Sequence, residues 1–237
     1  MSESGGSSKP AAENLGGPHG SQVGLGSSEN IGDGSQAEPE QPTSFAFDDE
    51  SEQEIGLILT KYPPSRKASA VLPLLYVVQK QMRRAMGSAW VPRVAMDVVA
   101  GRLEMPPIRV YEVATFYLMF NTKRIGRHHL QVCGTTPCWL RGSEEITRAC
   151  RDETGIKGWG ETSADHVFHM TEVECLGACV NAPILQVDDD YYEDLDYDRT
   201  VALLRALRRG EKPPVGSTIG RQTSAPLGGP NTLQTVE

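Results

Sequence analysis

Two pairs of cysteines constrain this chain more than any other feature. Cys133 and Cys138 form a C-x4-C pair within Val132-Cys133-Gly134-Thr135-Thr136-Pro137-Cys138. Cys175 and Cys179 form a C-x3-C pair within Glu174-Cys175-Leu176-Gly177-Ala178-Cys179-Val180, and 36 residues separate Cys138 from Cys175. Two short loops offering two thiolates each, brought together by an intervening fold, can enclose one metal centre. The rest of the chain must then serve as scaffold, docking surface or tail.

Composition narrows the chemistry. Five cysteines with no charged, apolar leader opening the chain point to a reducing compartment, where metal binding or catalysis is a better use of thiols than disulfides. The net charge of −8 argues against a nucleic-acid binder, which needs a basic face. No run of 18 apolar residues is present to span a membrane. Hydrophobic residues make up only 38% of the 237, so part of the chain is expected to remain unstructured.

That part is residues 1–44, with 9 Gly, 9 Ser, six acidic residues, and neither an arginine nor an aromatic residue. Such a segment buries too little apolar surface to offset its ordering entropy. Its lack of arginine speaks against a mitochondrial transit peptide.

From Phe45 the pattern becomes helical. The acidic run Asp48 to Glu52 favours a helix N-terminus, and Ile55, Ile58, Leu59 and Tyr62 follow at helical spacing until Pro63-Pro64. A second helix is expected from about Ser65 to Gly87, with Val71, Leu74, Leu75, Val78 and Met82 inside. Pro73 within it requires a late start or a bend. Pro92 and Pro107 are placed at the first positions of a third and a fourth helix. Phe116, Leu118, Met119 and Phe120 give the fourth a dense apolar end. Residues 45–122 therefore read as a small helical bundle that is core first, with one face free to dock a partner.

Past Asn121 the period shifts toward alternation. His129 to Val132 read as a strand, Trp139 to about Asp152 as a helix stopped by Gly155, and 157–164 as a loop. His166 to Val173 and Pro183 to Val187 read as strands, Asp188 to Asp190 as a turn, Tyr191-Tyr192 as a short strand, and Asp198 to Arg208 as a closing helix. Residues 123–212 thus form a small mixed sheet flanked by helices, and 213–237 a flexible tail. The fold class is α+β, a helical bundle followed by an α/β domain.

Three chemistries compete for the four cysteines. Structural zinc uses tight knuckles with two to four residues between ligands, a range these spacers reach only at its edge. Redox dithiols want C-x-x-C, which is absent. A [2Fe–2S] cluster takes four thiolates on wider loops. Gly134, Gly177 and Ala178 leave room for backbone N–H groups to approach sulfur, which favours the negatively charged cluster over zinc while leaving both open.

Other tempting residues read more plainly. Cys150 lies on an apolar helix face and is expected to be a buried structural thiol. His128, His129, His166 and His169 stand outside the ligand loops, so Rieske-type ligation is not expected. The seven carboxylates from Asp188 to Asp198 lack the order of a calcium loop and read as a solvated turn and helix cap. Trp139 is expected to pack, and Arg141 has no assigned role.

Five runs in order carry a family resemblance: LPLLYVVQ from Leu72, MPPIRVYEVATFY from Met105, HLQVCGTTPCWLRG from His129, EVECLGACVNAP from Glu172 and DDDYYEDL from Asp188. Together they resemble the small [2Fe–2S] subunit of NADH:quinone oxidoreductase, the respiratory complex I family, over about residues 45–212. The resemblance implies a thioredoxin-like domain carrying one [2Fe–2S] cluster on Cys133, Cys138, Cys175 and Cys179. It also implies docking to a larger flavoprotein subunit that holds FMN and NADH, and to other peripheral-arm subunits, on the cytoplasmic face of a bacterial inner membrane. No dinucleotide fingerprint is present, so the chain is expected to have no NADH site of its own. Two rivals stand beside this expectation. One is the equivalent subunit of an NAD-linked hydrogenase or formate dehydrogenase; the other is a zinc-stapled interaction module.

Overall fold

A computed structural model of the protein describes residues 41–229 and 232. The tail expected over 1–44 lies, up to residue 40, outside the described residues.

Helix α1 (Asp49–Leu59) begins where Asp48 accepts a hydrogen bond from the Ser51 N–H at 2.8 Å. A 3₁₀ segment (Pro64–Ala70) follows, then α2 (Val71–Met86). Pro73 is accommodated by a late start. It falls in the first turn of α2, where backbone N–H groups have no intrahelical partner. Gly87 ends α2 at φ +68°, the left-handed conformation glycine adopts without strain. Pro92 caps α3 (Arg93–Leu103) from just outside it, one residue earlier than expected, and Pro107 is the first residue of α4 (Pro107–Phe116). Ile55, Leu74, Leu75, Val78, Trp90, Val99, Leu103 and Val110 form one buried core among these helices, and Phe45 and Phe47 pack against it.

The second half is built on β1 (His128–Cys133). It pairs in parallel with β3 (Phe168–Val173), His128 opposite Phe168 and Cys133 opposite Val173. Between these strands run α5 (Thr136–Leu140) and α6 (Ser143–Thr154), the crossover that a parallel pair requires. The expected single helix over 139–152 is therefore two. Gly142 at φ +103° breaks it, leaving α5 as little more than one turn. A two-residue strand β2 (Glu161–Thr162), not anticipated in the loop, pairs antiparallel with β3. On the other side β4 (Leu185–Val187) pairs antiparallel with β1 and turns into β5 (Asp190–Glu193). Helix α7 (Tyr197–Arg208) then packs on α6. Leu130, Ile146, Phe168, Met170, Leu185 and Leu204 make the core of this half.

The segment expected as a flexible tail instead adds β6 (Gly216–Ser217), parallel to β5. The sheet order is β2-β3-β1-β4-β5-β6. A β1-α-β3 unit joined to a β4-β5-α7 unit is the thioredoxin-like arrangement, so the α+β class stands.

The two halves are tied by few but specific bonds. Ser88 Oγ donates to the Ile125 carbonyl at 2.8 Å and accepts from the Ile125 N–H at 3.1 Å. The Arg83 guanidinium on α2 reaches Asp188 at 3.0 Å and Asp189 at 3.2 Å in the β4–β5 turn. Asp188 departs from the solvated turn that its acidic surroundings suggest. Its side chain is only 17% exposed, because it also meets His128 Nδ1 at 3.0 Å and the His129 N–H at 2.9 Å. Asp196, by contrast, is the helix cap anticipated from the acidic run, accepting from the Arg199 N–H at 2.8 Å.

Candidate metal centre

Both cysteine pairs follow the C-terminal ends of neighbouring strands. Cys133 is the last residue of β1, and Cys138 lies in α5 just beyond it. Cys175 follows β3, and Cys179 opens a short 3₁₀ turn that ends at Asn181. Since β1 and β3 are parallel partners, their following loops must emerge at the same edge of the sheet. The chain thus brings all four predicted residues to one place. Cys133 and Cys138 are buried, Cys179 is half-buried and Cys175 is exposed.

The sulfurs stand as two pairs. Cys175 Sγ and Cys179 Sγ are 3.4 Å apart. Burial, followed by the facing Cys133 thiol, pushes Cys138 up to about 12. Burial also works to raise Cys133, but the Thr135 hydroxyl at 3.3 Å, the N–H groups of Thr135 and Leu176, and the Cys138 thiol outweigh it and hold Cys133 below the ordinary thiol value. Cys175 is lowered first by the Gly177 N–H, 3.4 Å from its sulfur, and then by Cys179. Cys179 is raised, first by its bond with Cys175. The pairs act across the gap between loops: Leu176 on Cys133, Thr135 on Cys175, and Cys133 on Cys179.

This donor set fits a two-iron cluster. Each iron of such a cluster takes two protein thiolates, and the bound thiolates must be stabilised as anions. Backbone N–H groups of Thr135, Leu176, Ile184 and Gly177 supply that stabilisation at three of the four sulfurs. Gly177 turns its N–H toward Cys175 at φ +81°, a conformation that disfavours any side chain. Helix α5 is too short for its dipole to matter much, so individual N–H groups rather than a helix end carry the electrostatics.

The remaining candidates fall elsewhere. Cys150 is fully buried on α6, and burial pushes its thiol up to about 12, as expected of a structural cysteine. His129 and His169 face one another across β1 and β3 at 5.2 Å and bond to Thr171 and Thr162, each at 2.8 Å, away from the sulfurs. Trp139 does not pack inside. Half of its surface is exposed, and its Nε1 donates to Glu144 at 3.2 Å. Sequence reasoning missed Thr135, whose motif position gave the only available signal. It also missed Tyr191, whose hydroxyl holds the Leu176 carbonyl at 2.9 Å.

Residues 55–208 match the thioredoxin-like [2Fe-2S] ferredoxin family, and the chain belongs to it. Among its relatives are the E subunits of the NADH-quinone oxidoreductases of Rickettsia bellii and Rickettsia conorii. Each is 50% identical over 166 residues, which is 70% of this chain and 96% of the relative. The corresponding protein of Rickettsia felis is 51% identical over 162 residues, 68% of this chain and 93% of the relative. The fold is also similar to part of an NAD+-reducing [NiFe]-hydrogenase, with a TM-score of 0.50 at 18% identity. That match covers 60% of this chain but only 23% of the hydrogenase chain, and at that identity it bears on fold alone. No helix among the described residues is long and apolar enough to cross a membrane.

Proposed function

We propose that the chain is the electron-transfer subunit of an NADH:quinone oxidoreductase. It holds one [2Fe–2S] cluster on Cys133, Cys138, Cys175 and Cys179 and exchanges single electrons with the FMN of an NADH-binding flavoprotein subunit. The observation that carries this reading is the meeting of two thiol pairs at one sheet edge, ringed by backbone N–H donors, in a chain 50% identical to its NADH-quinone oxidoreductase relatives. When bound, the cluster supplies one-electron reduction and oxidation.

The residues of the chain divide the remaining work. Buried Cys133 and Cys138 anchor one side of the site and exclude water from it, while exposed Cys175 and half-buried Cys179 leave the other side open to an electron donor. Thr135, Leu176 and Gly177 direct hydrogen-bond donors at sulfur, stabilising added negative charge and so raising the readiness to accept an electron. Residues 123–212 act as the carrier domain and 45–122 as a helical docking scaffold. The end of α4 supports that second role, since Phe116, Leu118 and Met119 stand exposed, an apolar surface that a partner subunit would cover. Through that partner the protein sits peripherally on the cytoplasmic face of a bacterial inner membrane, beside the other peripheral-arm subunits.

Anaerobic purification of the full chain tests this reading. The expected result is about two irons per chain with an electron paramagnetic resonance signal on reduction. Cys175→Ala, which leaves no donor atom, should abolish that signal, and Cys150→Ser should retain it. A colourless protein holding one zinc per chain would reject the proposal. Co-purifying subunits distinguish a quinone reductase from a hydrogenase or formate dehydrogenase assembly.

A further inference from the structure

The turn that carries Cys175 and Cys179 lies between β3 and β4, where Tyr191 of β5 holds the Leu176 carbonyl at 2.9 Å and the Asp194 N–H donates to the Asn181 carbonyl at 2.7 Å. A segment past α7, beyond the 55–208 span matched by the family, backs it from a second side. Strand β6 fixes the start of that segment, with Gly216 opposite Tyr192 and Ser217 opposite Glu193. Ser217 Oγ donates to Asp194 at 2.7 Å.

The chain then brings Arg221 under the cysteine turn. Its guanidinium pairs with Asp194 at 3.1 Å, and the two side chains are only 14% and 6% exposed. The same Nη1 donates to the Val180 carbonyl at 3.3 Å, and Nε donates to the Ala225 carbonyl at 3.1 Å. The Thr223 carbonyl accepts from Asn181 Nδ2 at 2.8 Å. Val180 and Asn181 are the two residues directly after Cys179.

A buried guanidinium is costly unless its N–H groups find acceptors. Here the planar fork spans a carboxylate and two carbonyls, which fixes the Val180 backbone against β5. We propose that Arg221 is a positioning residue for the metal centre. With the strap formed by residues 216–225, it clamps the turn that follows Cys179, so that the open pair of thiolates keeps its spacing when the cluster gains or loses an electron. The proposal rests on the ligand assignment above.

The test uses the cluster-loaded full chain and follows chelator-driven loss of visible absorbance, the reduction midpoint and unfolding. Arg221→Lys keeps a positive charge opposite Asp194 but, as a point donor, cannot bridge all three acceptors. At temperatures where circular dichroism shows the fold intact, it should release the cluster about tenfold faster, the equivalent of one such bond, with a shifted midpoint. Truncation after Val215 should also release the cluster faster, whereas truncation after Pro226, which keeps the strap, should not. Native release rates and midpoint in Arg221→Lys, or a native release rate after truncation at Val215, would overturn the proposal. A native chain that binds no iron would instead refute the ligand assignment itself.

Discussion

Replacing Asp188 by Asn should loosen the joint between the helical and sheet halves. Asp188 sits at φ +58°, a left-handed conformation that Asn tolerates and Ala does not, so the variant isolates loss of charge from backbone strain. Burial works to raise the Asp188 carboxyl, but His128, Arg83 and the His129 N–H outweigh it and hold the group ionised below the usual carboxylate range. The amide oxygen of Asn can still accept from His129. It cannot match the charge-assisted contacts to Arg83 and His128, both at 3.0 Å. Bonds to charged groups contribute about 1.5–3 kcal/mol each, and Arg83, with about a third of its side chain exposed, recovers part of that loss from water. The net cost should be about 2–3 kcal/mol, lowering the melting temperature by roughly 4–12 °C for a chain of this size. Asp189→Asn is the control. Its side chain is 77% exposed, and its bond to the same arginine should be worth about 0.5 kcal/mol or less. Guanidinium and thermal unfolding followed by circular dichroism measure both variants. A double-mutant cycle with Arg83→Met should show a coupling of at least about 1 kcal/mol. If Asp188→Asn costs no more than Asp189→Asn, the joint is not held by this carboxylate and the reasoning fails.

Other outcomes follow from the same structure. Burial holds His129 at about 3 and His169 at about 4, below the ordinary 6.5, so both are neutral when folded. The unfolded chain takes up those protons first, so their contribution is fully present above pH 6.5 and lost as pH falls toward 4. At pH 5.5 the pair should have lost about 2–3 kcal/mol, read as a falling denaturation midpoint in a range where carboxylates still stay ionised. Gly126→Ala would put a methyl 2.6–2.9 Å from the Phe168 backbone and should destabilise by about 2 kcal/mol or more, as urea titration would show. Phe116→Asp should change stability by about 0.5 kcal/mol or less, because Phe116 is 74% exposed, yet weaken co-purification with the flavoprotein subunit. Cys150→Ser should cost about 1–3 kcal/mol by burying a hydroxyl in an apolar core, with iron content unchanged.

Local patterns in this chain are legible wherever the controlling physics is local. Helical spacing places α1 to α4, and Gly87 marks the end of α2 because a left-handed residue is a backbone requirement that few others meet. The cysteine spacings, with small residues between them, point to paired thiolates on two loops. Gly142 sits within what reads as one helix, since a glycine next to a continuing polar and apolar pattern carries no local sign of its left-handed turn. Strands of two residues, β2 and β6, leave no periodicity to detect.

By itself the sequence determined which side chains have metal-binding chemistry and the approximate course of α1 to α4. Tertiary structure decided everything that depends on residues distant in the chain. The parallel pairing of β1 with β3 turned two sulfur-bearing loops into one site. Asp188 became a partly buried joint rather than a solvated turn because Arg83, 105 residues earlier, closes over it. Arg221 came to lie beneath the turn after Cys179 because β6 joins the sheet edge there. Charge, burial and hydrogen-bond supply at a given residue are set by such distant neighbours, and no periodicity along the chain encodes them.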